Sequence, residues 1–243
     1  MPASLVARLR EAERVVVLTG AGASADSGVP TFRDAQTGLW AQFRPQELAT
    51  PEAFVANPER VWQWYAWRRE LISKVEPNAG HYALARLQRH VGQLTVITQN
   101  VDGLHQRAGS TDVVEFHGNI FVNQCFAESV VLQSSELEDG EPPQCRRCGS
   151  AVRPGVVWFG ESIPAAALDQ ALQATTQCDV FIAAGTAAEV YPAAGLLAQA
   201  GEQDALTVEI NPEATAISDA ADIVVRARCA VALPTLVEQL IVE

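Results

Sequence analysis

Five short apolar runs rich in β-branched residues constrain the fold of this chain more than any other feature. Longer segments with helical spacing of apolar residues lie between several of them, as at 164–175 and 192–201. Strands with few polar positions are buried on both faces, and strands that alternate with helices are typical of a parallel sheet covered on both sides. We therefore predict an α/β fold with a doubly wound, Rossmann-like parallel sheet. The runs are RVVVLT (14–19), LTVIT (94–98), DVFIAA (179–184), LTVEI (206–210) and DIVVR (222–226).

Two regions interrupt this alternation. Residues 36–89 are aromatic, show helical spacing and contain no clear strand, while residues 119–152 are polar and hold three of the five cysteines. We predict that the first is a helical insert and the second a small cysteine-containing module, both inserted into one sheet domain. That domain is predicted to comprise residues 1–35, 90–118 and 153–243.

The composition narrows the classes of partner. A formal net charge of −12 weighs against nucleic acid, because affinity for the phosphate backbone comes largely from clustered lysine and arginine. A cationic peptide is a better match for an acidic protein. No apolar run approaches the ~20 residues that span a bilayer, and an odd number of cysteines fits a reduced compartment better than a disulfide framework. We therefore expect a cytoplasmic protein that binds neither nucleic acid nor membranes.

The first apolar run leads directly into GAGASADSGVPTFRD, Gly20 to Asp34. Gly20 and Gly22, with Ala25 in the third place, match the turn that brings a dinucleotide pyrophosphate to a helix N-terminus. An ordinary Gly-rich turn is the alternative. The acidic residue that dehydrogenases of this type place about 20 residues further on is missing. The loop therefore predicts dinucleotide binding without hydride transfer.

Six motifs, taken together in this order and spacing, resemble the sirtuin family of NAD-dependent protein lysine deacylases. The resemblance extends from about Val15 to the end of the chain. It implies NAD as the cofactor and acylated lysine in proteins or peptides as the substrate, with transfer of the acyl group to ADP-ribose and release of nicotinamide. The motifs are GAGASADSGVPTFRD, TQNVDGLH (98–105), EFHGNI (115–120), VVWFGE (156–161), GTAAEVYPAA (185–194) and EINPE (209–213).

The resemblance implies a catalytic role for His117, Asn100 and Asp102. Histidine suits a general base because an unperturbed pKa of ~6.5 leaves its neutral form available at neutral pH. Asn100 and Asp102, with Gln99, match the polar triplet that faces nicotinamide and its ribose. For an isolated histidine the alternative is a core or surface role, and for the triplet it is an Asx-rich turn. His105 is expected to support the same loop.

The same resemblance places further cofactor contacts at the ends of three predicted strands and in the segment around Phe32. Open α/β sheets bind ligands at the carboxyl ends of their strands, which agrees with this placement. Ala187 stands where the family usually has serine, so a hydroxyl contact is lost and NAD affinity is expected to be lower. Cys178 and Cys229 also look like small buried apolar residues. The predicted cofactor residues are Gly20, Ala21, Gly22, Ser24, Ala25, Phe32, Arg33, Gln99, Asn100, Val101, Asp102, Gly185, Thr186, Ala187, Asn211, Pro212, Glu213 and Cys229.

The VVWFGE motif matches the family segment that pairs with the substrate backbone as an added strand. Main-chain pairing of this kind gives affinity while tolerating many substrate sequences. The predicted substrate-binding residues of this segment are Val156, Trp158, Phe159, Gly160 and Glu161.

Cys145 and Cys148 form a Cys-x-x-Cys pair, and Cys125 supplies a third thiol. The family pattern has a fourth cysteine where this chain has Glu128. A carboxylate oxygen can bind Zn²⁺ at ~2.0–2.2 Å, so these four residues predict a structural zinc site remote from the chemistry. A degenerate module without metal is the alternative, and the sequence leaves both open.

The stretch WQWYAWRREL (62–71) concentrates three of the five tryptophans, one tyrosine and two arginines. Tyr65 and Arg68 are three residues apart, so a helix would place them on one face. The region resembles the class III branch of sirtuins, in which a Tyr-x-x-Arg pair binds the carboxylate of malonyl-, succinyl- or glutaryl-lysine and a small residue, here Ala35, leaves room for the longer acyl chain. The alternative is a hydrophobic core for the insert, with Arg68 a surface ion-pair residue. Arg69 is expected to face solvent.

A buried guanidinium is costly unless an anion meets it, which favours acidic acyl groups over acetyl. We therefore predict an NAD-dependent lysine deacylase that removes succinyl and malonyl groups and, more weakly, acetyl groups. A mono-ADP-ribosyltransferase that uses the same NAD site is the first alternative. A non-catalytic NAD sensor is the second, and a hydride-transferring oxidoreductase is the least favoured.

Overall fold

A computed structural model of the chain describes residues 1–30 and 43–241. The contacts among its residues divide it into two compact units. We call the first, with residues 1–30, 76–116 and 164–241, the sheet unit. The second, with residues 43–75 and 117–163, is called the small unit.

The strands and helices are named here in chain order. The strands are β1 (Arg14–Thr19), β2 (Gln93–Thr98), β3 (Val113–Glu115), β4 (Gly118–Cys125), β5 (Val131–Leu132), β6 (Leu137–Glu138), β7 (Gln144–Cys145), β8 (Val152–Val156), β9 (Val180–Ala184), β10 (Leu206–Ile210) and β11 (Ile223–Val225). The helices are α1 (Ala3–Glu11), α2 (Ala21–Ser24), α3 (Pro45–Leu48), α4 (Pro51–Ala56), α5 (Pro58–Ser73), α6 (Ala79–Leu87), α7 (Leu104–Arg107), α8 (Ala165–Gln177), α9 (Leu196–Gly201) and α10 (Cys229–Ile241).

The described strands of the sheet unit form a six-stranded sheet in the order β11-β10-β9-β1-β2-β3. Every neighbouring pair is parallel. Numbered within this sheet alone, the order is the 3-2-1-4-5-6 of a Rossmann fold, so the predicted doubly wound sheet is confirmed. Strand β3 was not among the predicted strands because it is too short to form an apolar run of its own. The order reverses between β1 and β9, which is where such a sheet leaves a crevice at its carboxyl edge.

Helices cover both faces of this sheet. Val15 and Val17 of β1 join a core with α1, α6 and α10 on one face. The alternate residue Val16 is also buried and points to the opposite face, where α8 contacts β1 and β3. Helix α6 packs against α10 through apolar residues such as Leu84 and Leu233. This packing places α6 in the sheet unit and outside the helical insert that the sequence predicts at 36–89.

The small unit combines helices α4 and α5 with an antiparallel sheet in the order β5-β4-β8. Side-chain caps and prolines begin both helices: Thr50 accepts a hydrogen bond from the Ala53 amide ahead of α4, and Asn57 accepts one from the Arg60 amide ahead of α5. Because β8 pairs with β4, residues 153–163 belong to this unit. Most described residues of the predicted helical insert and the predicted module at 119–152 thus belong to one unit, which also includes residues 153–163 of the predicted sheet domain.

Within the described ranges, no helix is both long enough and apolar enough to cross a bilayer.

Candidate functional site

Two glycine loops meet at the carboxyl edge of the parallel sheet. The Gly22 amide donates a hydrogen bond to the carbonyl oxygen of Gly185 at 2.8 Å, and Gly185 has a φ of 63°, which favours glycine. A Cβ at Gly22 would lie 2.8 Å from that same oxygen, and one at Gly20 would lie 2.9 Å from the Cβ of Thr186. The glycines therefore let the β1 and β9 loops approach backbone to backbone at the switch point, where the sequence predicted dinucleotide binding.

A polar network joins the loop after β2 to the loop after β1. The Asn100 side-chain amide donates to the Gly20 carbonyl oxygen and to Ser24 Oγ, each at 3.0 Å. Ser24 Oγ donates to Asp102 Oδ2 at 2.7 Å, and Asp102 Oδ1 accepts from the Leu104 amide at the start of α7. The structure thus brings together three of the predicted site residues, Ser24, Asn100 and Asp102. The capping bond of Asp102 is the Asx turn that was the alternative, and its role towards the cofactor stays a prediction.

His81 belongs to this network, although sequence reasoning gave it no role. Its Nδ1 accepts a hydrogen bond from the Asn78 amide at 3.2 Å, as part of a capping box that begins α6. In the neutral ring the proton is therefore on Nε2, which lies 3.4 Å from Ser24 Oγ. Burial lowers the pKa of His81 to about 4, with the Asp102 carboxylate opposing the shift. The capping spacing of Asn78 and His81 was the signal that could have placed this side chain.

His105 lies edge-on to His81, with ring centroids 4.8 Å apart. Its Nε2 is 2.9 Å from Thr19 Oγ1, and that hydroxyl in turn donates to Thr98 Oγ1. Burial, reinforced by the neighbouring His81, lowers the pKa of His105 to about 3. The neutral ring thus bridges the ends of β1 and β2 beside the predicted site, which agrees with the expected supporting role.

The predicted residues after β2, β9 and β10 are hydrogen-bonded to one another. Gln99 Nε2 donates to Thr186 Oγ1 at 2.8 Å, and Asn211 Nδ2 donates to the Thr186 carbonyl oxygen at 2.9 Å. Asn211 Oδ1 accepts from the Glu213 amide at 3.3 Å. The loops that follow β2, β9 and β10 are therefore fixed to one another at this edge. The remaining predicted cofactor residues of the sheet unit lie in the same loops or helix starts: Ala21, Ala25, Val101, Ala187, Pro212 and Cys229.

Cys229 is a packing residue under the β9 loop. It is buried, and a Cβ built on Gly185 would lie 2.9 Å from its Sγ. Burial raises the pKa of its thiol to about 12, so it is neutral. These observations agree with the prediction of a small buried apolar residue.

Glu209 is a buried acid of β10 that sequence reasoning missed. Burial acts to raise the pKa of its carboxyl, but hydrogen bonds from Thr215, Ser218 and Arg226 outweigh burial and hold the pKa below its usual range. Arg226 Nη1 lies 2.7 Å from its Oε2. The carboxylate therefore anchors the loop that carries Asn211 and follows β10. A charged residue within an apolar strand was the signal for it.

In the small unit, His117 directly precedes β4 beside the predicted substrate segment. Its carbonyl oxygen accepts from the Val157 amide at 2.9 Å. Gly118 follows with a φ of 78°, and a Cβ there would clash with the Gly155 carbonyl oxygen of β8. The glycine after the predicted base is thus required by the close approach of the two strands. Phe159, further along the segment, is 44% exposed and donates its amide to the Ala49 carbonyl oxygen.

Tyr65 and Arg68 are buried on one face of α5, with exposed fractions of 3% and 7%. The Arg68 Cζ lies 5.1 Å from the centroid of the Trp64 ring, and the Tyr65 hydroxyl accepts a hydrogen bond from Trp158 Nε1 at 2.9 Å. Burial raises the pKa of Tyr65 to about 12, with the Arg68 cation opposing the shift. The alternative in which Arg68 is a surface residue is therefore wrong. Ala35, the third residue predicted to bind the acyl group, lies outside the described residues, as do Phe32 and Arg33.

The expectation that Arg69 faces solvent is wrong. Its guanidinium donates to the carbonyl oxygens of Ile120 and Val122 in β4, and it stacks on Trp62 with its Cζ 4.9 Å from the ring centroid. Burial lowers the pKa of Arg69 to about 10. Helix α5 is covered by β4 on the Arg69 side as well, which position along the helix alone could not reveal.

The predicted metal ligands converge in the small unit. One ligand atom from each of Cys125, Glu128, Cys145 and Cys148 lies within 4.8 Å of all the others. The Cys125 and Cys148 sulfurs are 3.5 Å apart, close to the ~3.8 Å that a tetrahedral zinc with Zn–S distances of ~2.3 Å requires. The Glu128 amide donates to Cys125 Sγ, and the Glu128 carboxylate lies 3.3 Å from Arg147 Nε. Three thiols and one carboxylate in this arrangement fit a structural zinc ion.

Comparison with known proteins supports the resemblance drawn from the motifs. The sequence model of the Sir2 family matches residues 20–192. An NAD-dependent protein deacylase of Ralstonia nicotianae is 48% identical over 235 residues, 97% of this chain and 95% of the relative. One from Mycobacterium tuberculosis is 47% identical over 233 residues, 93% of this chain and 98% of the relative.

Solved structures agree with these relatives. The crystal structure of a Sir2 homolog–NAD complex superimposes with a TM-score of 0.92 at 42% identity, covering 99% of this chain and 94% of that chain. A mutant Sir2 homologue in complex with ADP-ribose superimposes with a TM-score of 0.90 at 43% identity, covering 99% and 96%. NAD is thus the cofactor that goes with this fold, and those of its predicted contacts that the structure describes lie at the carboxyl edge of the sheet. By sequence and by structure, the chain belongs to the Sir2 family.

Proposed function

We propose that this protein is an NAD-dependent protein lysine deacylase that acts preferentially on succinyl- and malonyl-lysine and more weakly on acetyl-lysine. Membership of the Sir2 family and the names of the curated relatives support the deacylase activity. The preference for acidic acyl groups depends on one observation, the burial of Tyr65 beside Arg68 on α5.

The sheet unit offers a fitting cradle for NAD. Gly20, Gly22 and Gly185 let the β1 and β9 loops approach so closely that a Cβ on any of them would clash, and α2 begins directly after Gly20. Asn100 commits its amide N–H groups to Gly20 and Ser24, and its Oδ1 accepts no bond from the described residues, so this oxygen can accept from a ribose or carboxamide. When bound, NAD supplies the ADP-ribose to which the acyl group is transferred, with nicotinamide as the leaving group.

The other predicted site residues would orient Asn100, accept a proton from the ribose, or bind the peptide backbone. The Ser24, Asp102 and His81 network keeps Asn100 in one orientation, because each member is hydrogen-bonded to the next in a buried setting. His117 would accept a proton from a ribose hydroxyl, and the bond from Val157 to its backbone fixes the position of its Cα. The segment from Val156 to Glu161 would pair with the backbone of the acylated peptide.

The charge and the burial of Tyr65 and Arg68 support recognition of an acyl carboxylate. A neutral phenol with a pKa of about 12 donates its O–H at any physiological pH, and a buried guanidinium on the same helix face adds a permanent positive charge. Together they stabilise a carboxylate by charge-assisted hydrogen bonds that a methyl group cannot make. The net charge of −12 makes such a local cation necessary for an acidic ligand.

The zinc ligands would hold a structural ion within the small unit, away from these steps. None of the described cysteines is in a disulfide, and we propose a cytoplasmic location on the grounds of cysteine usage.

The decisive experiment is mass spectrometry of acetyl-, malonyl-, succinyl- and glutaryl-lysine peptides incubated with the protein and NAD. We expect loss of the acyl mass with formation of nicotinamide, fastest for the succinyl and malonyl peptides. Equal or faster removal of acetyl would refute the acyl preference. Transfer of labelled ADP-ribose to protein in the absence of acyl peptide, without deacylation, would favour the ADP-ribosyltransferase alternative.

A further inference from the structure

Arg153 of β8 is a buried cation to which no motif gave a role. Its side chain is 7% exposed and lies 2.5 and 2.8 Å from the two carboxylate oxygens of Glu161. It also donates to the Val156 carbonyl oxygen at 2.7 Å. Its Cζ lies 3.4 Å from the centroid of the Trp158 ring, in direct stacking contact. The planar Arg153 guanidinium, which is bonded to the Glu161 carboxylate and the Val156 carbonyl oxygen, therefore stacks on one face of the Trp158 indole.

Glu161 and the ring of Phe54 complete the clamp around Trp158. The Trp158 amide donates to Glu161 Oε2 at 2.8 Å, so the same carboxylate holds both Arg153 and the backbone under the indole. Phe54 packs 5.3 Å from the indole, and Trp158 is 2% exposed. The indole thus has one orientation, and in that orientation its Nε1 donates to the Tyr65 hydroxyl at 2.9 Å.

The hydrogen bond from Trp158 Nε1 restricts the direction of the Tyr65 hydroxyl proton. An indole N–H can only donate, so it occupies a lone pair of the Tyr65 oxygen and the hydroxyl proton must turn elsewhere. Burial keeps Tyr65 protonated, with its pKa raised to about 12. Within the part of the chain that the structure describes, this buried O–H has no acceptor. The donor is therefore available to a ligand, and a carboxylate satisfies it best.

We propose that Arg153 is a positioning residue for acyl selection: by clamping Trp158 it directs the Tyr65 hydroxyl toward the carboxylate of the acyl chain. This inference rests on the proposed function, since the carboxylate is that of succinyl- or malonyl-lysine. Arg153 touches neither NAD nor the acyl group in this account, and it acts only through Trp158 and Tyr65. Its effect should therefore disappear when the Tyr65 hydroxyl is removed.

A double-mutant cycle tests this dependence. Arg153→Lys keeps the charge but loses the planar fork and the stacking surface. The ratio of kcat/KM for succinyl and acetyl peptides is measured in the wild type, R153K, Y65F and R153K/Y65F. We expect R153K to lower the ratio about tenfold, the effect of one misdirected hydrogen bond to a charged group, and to lower it no further in the Y65F background. R69K is the matched control, because Arg69 also stacks on a tryptophan and binds backbone carbonyls but does not contact Trp158.

A fall of the ratio by the same factor in both backgrounds would overturn the inference, as would equal losses on both substrates. A second measurement does not depend on deacylation: hydrogen exchange of the Trp158 indole N–H, followed by NMR and assigned through its loss in W158F. Faster exchange in R153K but not in R69K supports the clamp, and unchanged exchange overturns it. A wild-type protein that showed no preference for succinyl would defeat the proposed function instead, while the exchange measurement would still decide the clamp.

Discussion

Replacing Arg68 with methionine is the most direct test of the acyl-binding assignment. Methionine keeps a stem of similar length in a site where the arginine side chain is only 7% exposed, so packing is largely retained and the charge is lost. Hydrogen bonds to a charged group contribute about 1.5–3 kcal/mol, and 1.4 kcal/mol corresponds to a tenfold change. We therefore expect kcat/KM for a succinyl peptide to fall about ten- to a hundredfold relative to that for the acetyl peptide.

The assay compares both peptides under saturating NAD, with Arg69→Met as the matched control. Arg69 is the next residue of α5 and is also partly buried, but its guanidinium binds the carbonyl oxygens of β4. Its replacement should lower thermal stability and leave the succinyl-to-acetyl ratio unchanged. Equal losses on both peptides in Arg68→Met would mean that Arg68 supports the fold and does not recognise the acyl group, and the reasoning from buried charge would be refuted.

Three further predictions follow from the same structure. His117→Tyr should abolish removal of every acyl group while the melting temperature stays near that of the wild type, and retained turnover in the mass-spectrometric assay would exclude His117 as the base. Because the folded-state pKa values of His81 and His105, about 4 and about 3, lie below the usual 6.5, their contribution to stability is present above pH 6.5 and is lost as the pH falls. The free energy of unfolding measured in urea should fall by about 1.4 kcal/mol per pH unit for each histidine as the pH drops below 6.5, and the slope should be shallower in H105Q. Identical slopes in the wild type and H105Q would contradict the assignment. Purified protein should contain one equivalent of zinc by elemental analysis, and Glu128→Cys should slow its removal by a chelator because a thiolate replaces a carboxylate that Arg147 also attracts; absence of zinc from both proteins would favour the degenerate module.

The sequence was sufficient for the sheet and for its ligand-binding edge. Apolar runs buried on both faces can only be satisfied by helices on either side, so the positions of five of the six described strands of that sheet and the parallel class followed from local pattern. The glycines after β1 were informative because they act through the absence of a Cβ. That property belongs to the residue itself and does not depend on its tertiary contacts. A shared helix face for Tyr65 and Arg68 likewise followed from their spacing of three. Their burial did not, and the surface alternative for Arg68 stayed open until the structure showed its side chain to be buried.

Other features depended on contacts between distant segments. The unit boundary at β8 follows from its pairing with β4, and the position of α6 follows from its packing on α10. Arg69 is held by β4 carbonyls that lie about fifty residues further along the chain, at a separation of 51 for Ile120. No local pattern encodes such partners.

The sequence by itself determined the longer strands of the parallel sheet, the glycine loops and the identity of the chemical groups available for a site. Only the tertiary structure decided which of those groups meet: His81 with Ser24, Glu209 with Arg226, and Trp158 with Tyr65. The physical reason is that periodicity and backbone conformation are properties of neighbouring residues. Hydrogen-bond direction and the burial of a charge depend on side chains that folding brings together from remote parts of the chain.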